Sequence, residues 1–219
     1  MCIRDSLERA QTNPAYGTAF ELKDLFGWAY QSLSAQLVSA GKKLDLSEEE
    51  TVKKLREFTS ERLRGVIAAQ TSNAVADSVC AGGDLGRPAH ALARAKALHR
   101  AVTDGRAWLE KARTVAKRLS GISKEAKPVL HGKDAFEKAD DHGIVDVIAK
   151  LDTSTKALET EAAVSAALEG AEELAARLDD VFTRTLVNDP NDIRTPQRLE
   201  LLSHGAQCML RIGDFSRLI

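Results

Sequence analysis

Apolar residues recur every three or four positions in the long segments of this chain, and that spacing is the feature that most limits its fold. Such spacing places apolar side chains along one stripe of an α-helix, whereas a half-buried strand alternates at every second residue. The aromatic content is only 5%, which gives little support to a sheet. We therefore expect an all-α fold built as a helical bundle.

Polar caps, glycines and prolines mark the ends of the expected helices. Thr18 and Glu21 have the spacing of a capping box, and so do Ser47 and Glu50. Gly41 is predicted to end the first helix, because glycine readily adopts the left-handed conformation found after a helix. Apolar residues mark helices across 22–37, 52–67, 73–80, 92–102, 108–119, 144–151, 158–186 and 199–210.

Further boundaries follow from the same residue types. Gly105 and Gly121 are predicted to end helices. Pro88 is predicted to begin one, because the backbone N–H groups of the first helical turn have no partner within the helix and the missing N–H of proline therefore costs nothing there. Residues 122–134 are predicted to form a loop. Thr195 is expected to cap the last helix, which is followed by a short tail whose apolar residues are expected to pack.

The sequence offers no catalytic constellation. The glycine-containing stretch 81–86 lacks the Lys-Ser/Thr pair of a phosphate-binding loop, and the five histidines lack the spacing of a metal site. Cys2, Cys80 and Cys208 are scattered, which is typical of reduced thiols in a cytoplasmic protein. No apolar run approaches the ~20 residues of a membrane span. We expect no catalytic residue, no metal ligand and no membrane partner.

Charge is distributed unevenly along a chain whose net charge is −1. Residues 87–118 hold nine cations and two acids, whereas 159–180 hold seven acids and one arginine. If the two helices of the first segment pack antiparallel, their outer faces could bind phosphates without reading bases. An ordinary solvated face is the alternative. The predicted backbone contacts are Arg94, Lys96, Arg100, Lys117 and Arg118. Base identity is expected to be read elsewhere, near Arg62 or Arg64 on an earlier helix or near Arg198.

The end of the chain resembles the closing segment of bacterial glycyl-tRNA synthetase β subunits. The resemblance is carried by 181–189 (VFTRTLVND), 198–202 (RLELL) and 213–219 (GDFSRLI), with weaker matches at 58–63 (FTSERL) and 117–122 (KRLSGI). Order and spacing agree over 46–219. The chain departs from the family where Gly121 replaces an asparagine, where Val181 replaces a phenylalanine, and where Arg194 is displaced by a longer spacing before Arg198.

The resemblance implies a particular fold and role. Residues 46–219 would be a helical anticodon-binding domain, of the type that arginyl-tRNA synthetases also carry, and 7–45 would end a truncated helical region upstream. The α subunit of such an enzyme holds ATP, Mg²⁺ and glycine, so this chain would need no cofactor. Its partners would be tRNA(Gly) and that α subunit, and not DNA. Arg198 is an expected tRNA contact.

Two alternatives stay open. The chain could be the C-terminal domain of an arginyl-tRNA synthetase, or a helical scaffold or adaptor with no role in nucleic-acid binding. A separate expectation concerns residues 1–6. Their sequence is identical to the translation of the end of a transposase-based sequencing adapter. We therefore expect the native N-terminus to lie upstream, the alternative being a native start with this sequence.

Overall fold

The structure is a computed structural model that describes residues 21–184 and 186–218. In that part of the chain it contains eight α-helices and no strand, which confirms the expected all-α fold. The helices are α1 Leu22–Ser39, α2 Glu48–Gln70, α3 Asn73–Gly82, α4 Pro88–Thr103, α5 Trp108–Glu125, α6 Ala139–Ser154, α7 Glu161–Arg184 and α8 Thr195–Ile212. Single 3₁₀ turns occupy Lys133–Ala135 and Phe215–Arg217.

Helices α1 and α2 form a hairpin. Gly41 in the connection has a φ of +70°, a conformation that glycine adopts without strain. Ser47 and Glu50 form the predicted capping box: the Glu50 N–H donates to Ser47 Oγ over 3.3 Å, and the Ser47 N–H donates to the Glu50 carboxylate over 3.0 Å. The other predicted capping box begins at Thr18, outside the described residues.

The apolar stripe predicted for this hairpin is buried at Leu63 and Ile67 on α2 but exposed elsewhere, which corrects part of the sequence-based expectation. Leu25 and Leu33 on α1 are each 48% exposed, and Phe58 on α2 is 43% exposed. The reason is that α1 meets α2 through a different face. Gly27 is buried there against Glu48, and the Tyr30 hydroxyl donates to the Leu46 carbonyl.

Helix α8 lies at the centre of the bundle and packs against α5, α6, α3 and α7. Its side chains Leu201, Leu202, Cys208 and Ile212 are fully buried. Helices α4 and α5 each pack against α7. This arrangement brings the basic segment of the sequence alongside the acidic one, which determines the electrostatics of the surface described below.

The tail after α8 belongs to the core. Phe215 and Leu218 are 1% and 3% exposed, and the Phe215 ring lies 5.9 Å from that of Trp108, which is also buried. The Asp214 N–H donates to the Ser78 carbonyl on α3 over 2.9 Å. The described part of the tail is therefore packed, as expected, and Ile219 lies outside the described residues.

Several boundaries differ from prediction. Helix α5 does not stop at Gly121 but continues to Glu125, because glycine costs a helix only about 1 kcal/mol and Ile122 still packs against the core. Helix α6 begins at Ala139, earlier than expected. The predicted ends at Gly105 and the proline start of α4 are confirmed. Thr195 begins α8, but its side chain makes no capping bond to the helix.

Candidate nucleic-acid interface

Four of the predicted phosphate contacts are exposed on α4 and α5. Lys96 and Arg100 are one turn apart on α4, so they share a face, and Lys117 and Arg118 are consecutive on α5. The two helices pack against α7 rather than making an extended contact with each other. The cations therefore do not form the continuous two-helix face that antiparallel packing of α4 and α5 would have produced.

Acidic side chains of α7 pair with part of this surface. Arg100 Nη2 lies 2.5 Å from Glu161 Oε1, and Lys111 Nζ lies 3.6 Å from Asp179 Oδ2. Glu161 and Asp179 are eighteen residues apart, roughly 27 Å along a helix axis. Exposed ion pairs of this kind contribute about 0–1 kcal/mol, so a phosphate can compete for them, but they reduce the local positive charge.

The other three exposed predicted contacts on α4 and α5 have a different environment. The Arg118 guanidinium lies 5.3 Å from the centre of the Phe182 ring, a cation–π contact that leaves its charge uncompensated. Within the described part of the chain, Lys96 and Lys117 make no ion pair. These three side chains, with the exposed Lys124 at the end of α5, are accessible positive charges that α4 and α5 offer to a polyanion.

Helix α2 carries the two earlier predicted contacts. The Arg62 guanidinium lies 4.6 Å from the centre of the exposed Phe58 ring. Arg64 is instead paired with Asp77 on α3, over 2.7 Å between Nε and Oδ1. That hydrogen bond lowers the pKa of Asp77. Arg62 is therefore available to a partner, whereas Arg64 is engaged within the protein.

Arg94 is buried, which corrects its predicted place on the surface. It is 3% exposed, and its Nη2 donates to the Asp84 carbonyl over 2.9 Å. Its guanidinium lies against Gly83, where a Cβ atom would be 2.3 Å from Cζ. Burial lowers the pKa of Arg94 to about 10, so the side chain stays charged at neutral pH. In this conformation it cannot reach a phosphate.

Arg198 is also buried and requires the same correction. It is 2% exposed and donates to both carboxylate oxygens of Asp141 on α6, over 2.7 and 2.8 Å. A third bond, of 3.1 Å, reaches Asp192. Its guanidinium is engaged in joining α8 to α6 and to the loop before α8. We therefore assign it a structural role.

One group of side chains in the described residues has the composition of a metal site. The ligand atoms of Asp152, His204 and Cys208 all lie within 4.8 Å of one another. However, Arg211 Nη1 lies 2.7 Å from one oxygen of Asp152, and Lys156 Nζ lies 2.7 Å from the other. Two protein cations thus already neutralise the carboxylate, and the cluster is an ion-pair network as it stands.

The described cysteines and histidines have structural environments. Burial raises the pKa of the Cys208 thiol to about 11, and burial also raises the pKa of Cys80, so neither is a thiolate at neutral pH. His131 is hydrogen-bonded to Glu200 over 2.8 Å, and His142 to the Phe136 carbonyl over the same distance. These two contacts connect loops and helices.

Comparison with known proteins gives no assignment. The chain matches no model of a known protein family, and a search of curated proteins returns no match. Among the described helices, none combines the length and apolar character needed to cross a bilayer.

One exposed feature, the Phe58–Arg62 pair, was not predicted from the sequence. The apolar spacing over 52–67 puts Phe58 in the same set as Leu63 and Ile67. At 100° per residue, Phe58 lies about 140° from Leu63 around the helix, and that angle is the signal that could have separated them.

Proposed function

We propose that this chain is the tRNA-contacting C-terminal part of a glycine–tRNA ligase β subunit, located in the cytoplasm. A separate α subunit would bind ATP, Mg²⁺ and glycine and form glycyl-adenylate, and this chain would help to bind tRNA(Gly). It would not catalyse aminoacylation alone. The proposal is supported by the ordered resemblance of 181–189, 198–202 and 213–219 to that family and by the all-helical bundle.

The observation that carries the proposal is a group of exposed cations that make no ion pair with a carboxylate of the described residues. Among the predicted contacts this group consists of Lys96, Lys117 and Arg118 with the earlier Arg62, and these four extend over three helices. A phosphate contact adds affinity that falls with salt and carries no sequence information. We therefore assign these side chains to the tRNA backbone. Arg100 is a secondary contact, because binding must first compete with Glu161.

A salt titration of tRNA affinity tests the proposal. The 219-residue chain, its Lys117→Ala and Lys96→Ala variants and a control would be titrated with a tRNA(Gly) transcript at several salt concentrations. Each lost phosphate contact should weaken binding and lower the slope of log affinity against log salt by about one unit. Lys150→Ala is the matched control, because it removes the same charge from an exposed lysine that is paired with Glu173 on another face.

The outcomes separate the proposal from its alternatives. If Lys117→Ala and Lys96→Ala bind tRNA more weakly while Lys150→Ala binds it with unchanged affinity, the proposed tRNA-binding surface is supported. A tighter complex with tRNA(Arg) than with tRNA(Gly) would favour the arginyl-type domain instead. Glycyl-adenylate formed by this chain without an α subunit would overturn the non-catalytic role. No salt-dependent tRNA binding by the wild type would reject the proposal as a whole.

A scaffold role is the second candidate, and the α1–α2 hairpin is the observation that favours it. Leu25, Leu33 and Val38 expose 48%, 48% and 66% of their surface on α1. A contiguous patch of exposed apolar side chains is typical of a protein contact, and Leu25 and Leu33 lie about 80° apart around α1. Sedimentation of the chain with and without Leu25→Ser and Leu33→Ser tests for self-association. If tRNA binding is absent and those variants abolish association, the scaffold role replaces the tRNA-binding role.

A further inference from the structure

The outer face of α2 presents an aromatic ring and a guanidinium together. Phe58 is 43% exposed, and Arg62, one turn later, places its guanidinium carbon 4.6 Å from the ring centre. The buried residues of this helix, Thr59, Leu63 and Ile67, lie on a different face. The ring is thus directed away from the core, with one side occupied by the guanidinium.

We infer that Phe58 and Arg62 form a stacking platform for an unpaired base of a single-stranded RNA loop. This inference rests on the proposed tRNA-binding function and adds to it the residues that contact bases. Unpaired bases in RNA loops are commonly bound by stacking on aromatic rings or on arginine guanidinium planes. The cations of α4 and α5 have no comparably exposed ring: Trp108 is buried, and the Phe182 ring beside Arg118 is partly buried against the core.

The surface of α2 is open two turns beyond the ring. Gly65 lies seven residues after Phe58 and so on nearly the same face of α2. It has no side chain, and no atom lies within 4 Å of the position that its Cβ would take. A ligand seated on the pair therefore meets no side chain at residue 65, roughly 10 Å further along the helix axis.

The charges around the ring favour RNA over an apolar peptide. Lys54, one turn before Phe58, is exposed, so the face carries a cation on either side of the ring. Within the described residues Arg62 makes no ion pair, so its charge is not neutralised by a carboxylate. Glu61, three residues after Phe58, is also a neighbour of the ring, and with Glu57, Lys53 and Arg56 it borders the groove between α1 and α2. A base on the ring would place its flanking phosphates near Lys54 and Arg62.

The test measures stacking separately from charge. A tRNA(Gly) transcript carrying 2-aminopurine in its anticodon loop would be titrated with the wild-type chain and with variants. Phe58→Ala should weaken binding by roughly 5- to 150-fold, reduce the quenching of 2-aminopurine, and leave the salt slope unchanged. Phe58→Tyr should retain both affinity and quenching. Arg62→Ala should lower the salt slope by about one unit.

Leu55→Ala is the matched control. Leu55 lies on the same helix and is 37% exposed, close to the exposure of Phe58, but has no ring to stack. We expect this variant to bind tRNA with unchanged affinity and quenching. Because all of these side chains are exposed, each variant should keep the circular dichroism spectrum of the wild type.

Distinct results would overturn the inference. If Phe58→Ala keeps full affinity and quenching while the wild type binds tRNA with a salt dependence, the platform is wrong and the proposed function stands. If Phe58→Ala and Leu55→Ala weaken binding equally, a general apolar contact replaces stacking. If Phe58→Ala instead abolishes self-association, this face binds protein. If the wild type does not bind tRNA, both the platform and the proposed function fail.

Discussion

The guanidinium of Arg198 and the carboxylate of Asp141 form a two-point ion pair inside the bundle, with Nε 2.7 Å from Oδ1 and Nη2 2.8 Å from Oδ2. Both side chains are buried, and they connect α8 to α6. The hydrogen bond to Asp141 raises the pKa of Arg198 above its ordinary value, so the guanidinium stays charged throughout the range in which the protein is handled. Breaking the pair would leave one buried charge without its partner.

Arg198→Met should therefore destabilise the fold by about 3–5 kcal/mol, because it leaves the Asp141 carboxylate buried and unpaired. The double variant Asp141→Leu/Arg198→Met should lose less than the sum of the two single changes. Urea unfolding followed by circular dichroism measures both. Arg184→Met is the control, since Arg184 pairs with Asp180 on the exposed surface. Equal losses in Arg198→Met and Arg184→Met would contradict a structural role for the buried pair.

The Asp152 network predicts a specific dependence of stability on pH. Burial alone would raise the pKa of Asp152, but hydrogen bonds from Lys156 and Arg211 outweigh it and hold the pKa well below its usual value. A carboxyl whose folded pKa is depressed stabilises the fold above its unfolded pKa of about 3.9. That stabilisation is lost as the pH falls below about 5 and through the folded pKa.

Asp152→Asn should accordingly flatten the fall in unfolding free energy between about pH 5 and pH 2, although it lowers stability at pH 7. The measurement is urea unfolding at several pH values. Glu137→Gln serves as the control, because the Glu137 side chain is 83% exposed. An Asp152→Asn profile parallel to that of the wild type would show that this carboxyl does not contribute to the acid sensitivity.

Replacing each of two glycines with alanine should change the stability of the protein in opposite directions. Gly82 ends α3 against the carboxyl end of α8, where a Cβ atom would lie 2.5 Å from the Leu210 carbonyl oxygen. Backbone must shift to admit it, and such overpacking typically costs about 1–3 kcal/mol. Gly121 lies within α5, and no atom is within 4 Å of the position of its Cβ.

Gly121→Ala should stabilise the protein by about 0.5–1 kcal/mol, because alanine loses less backbone entropy than glycine when a helix forms. Gly82→Ala should lower the midpoint of thermal unfolding. The two variants make the same chemical change, so the comparison isolates the close approach of α3 and α8. A Gly82→Ala midpoint equal to that of the wild type would mean that this contact relaxes freely.

Periodicity predicted the helices well because it reports directly on local structure. The capping box at Ser47 and the starts and stops at Pro88, Gly41 and Gly105 are also local, since each depends on residues within one turn. Gly121 was misread because a glycine weakens a helix only slightly, and packing beyond it determines whether the helix continues. Local patterns in the sequence do not predict that packing.

The candidate surface was less predictable because it depends on tertiary contacts. Arg94 and Arg198 cannot be distinguished from the other cations in the sequence. In the fold, however, Arg94 lies buried against Gly83, and Arg198 binds Asp141, which is distant in the chain. The acidic and basic segments were treated as separate, whereas α7 lies against both basic helices. Pairing between distant segments determines which charges remain free, and composition does not report it.

The ion pair between Glu161 of α7 and Arg100 of α4 provides a test of the basic surface. Glu161 neutralises Arg100 through the 2.5 Å contact between Oε1 and Nη2. Glu161→Gln should free that guanidinium, strengthen tRNA binding, and increase the salt slope by up to about one unit, because one more phosphate contact becomes available. The double variant Arg100→Ala/Glu161→Gln should lose this gain.

Glu169→Gln is the matched control, because it removes the same charge from an exposed carboxylate of α7 that faces Lys150 on α6. General reduction of negative charge affects both variants alike, and at 0.15 M salt it is screened over about 8 Å. A gain in tRNA affinity that is confined to Glu161→Gln therefore identifies Arg100 as a phosphate contact that Glu161 of α7 blocks in the wild type. Equal gains in Glu161→Gln and Glu169→Gln would show that bulk charge alone changes the affinity, and Arg100 would then be removed from the proposed tRNA surface.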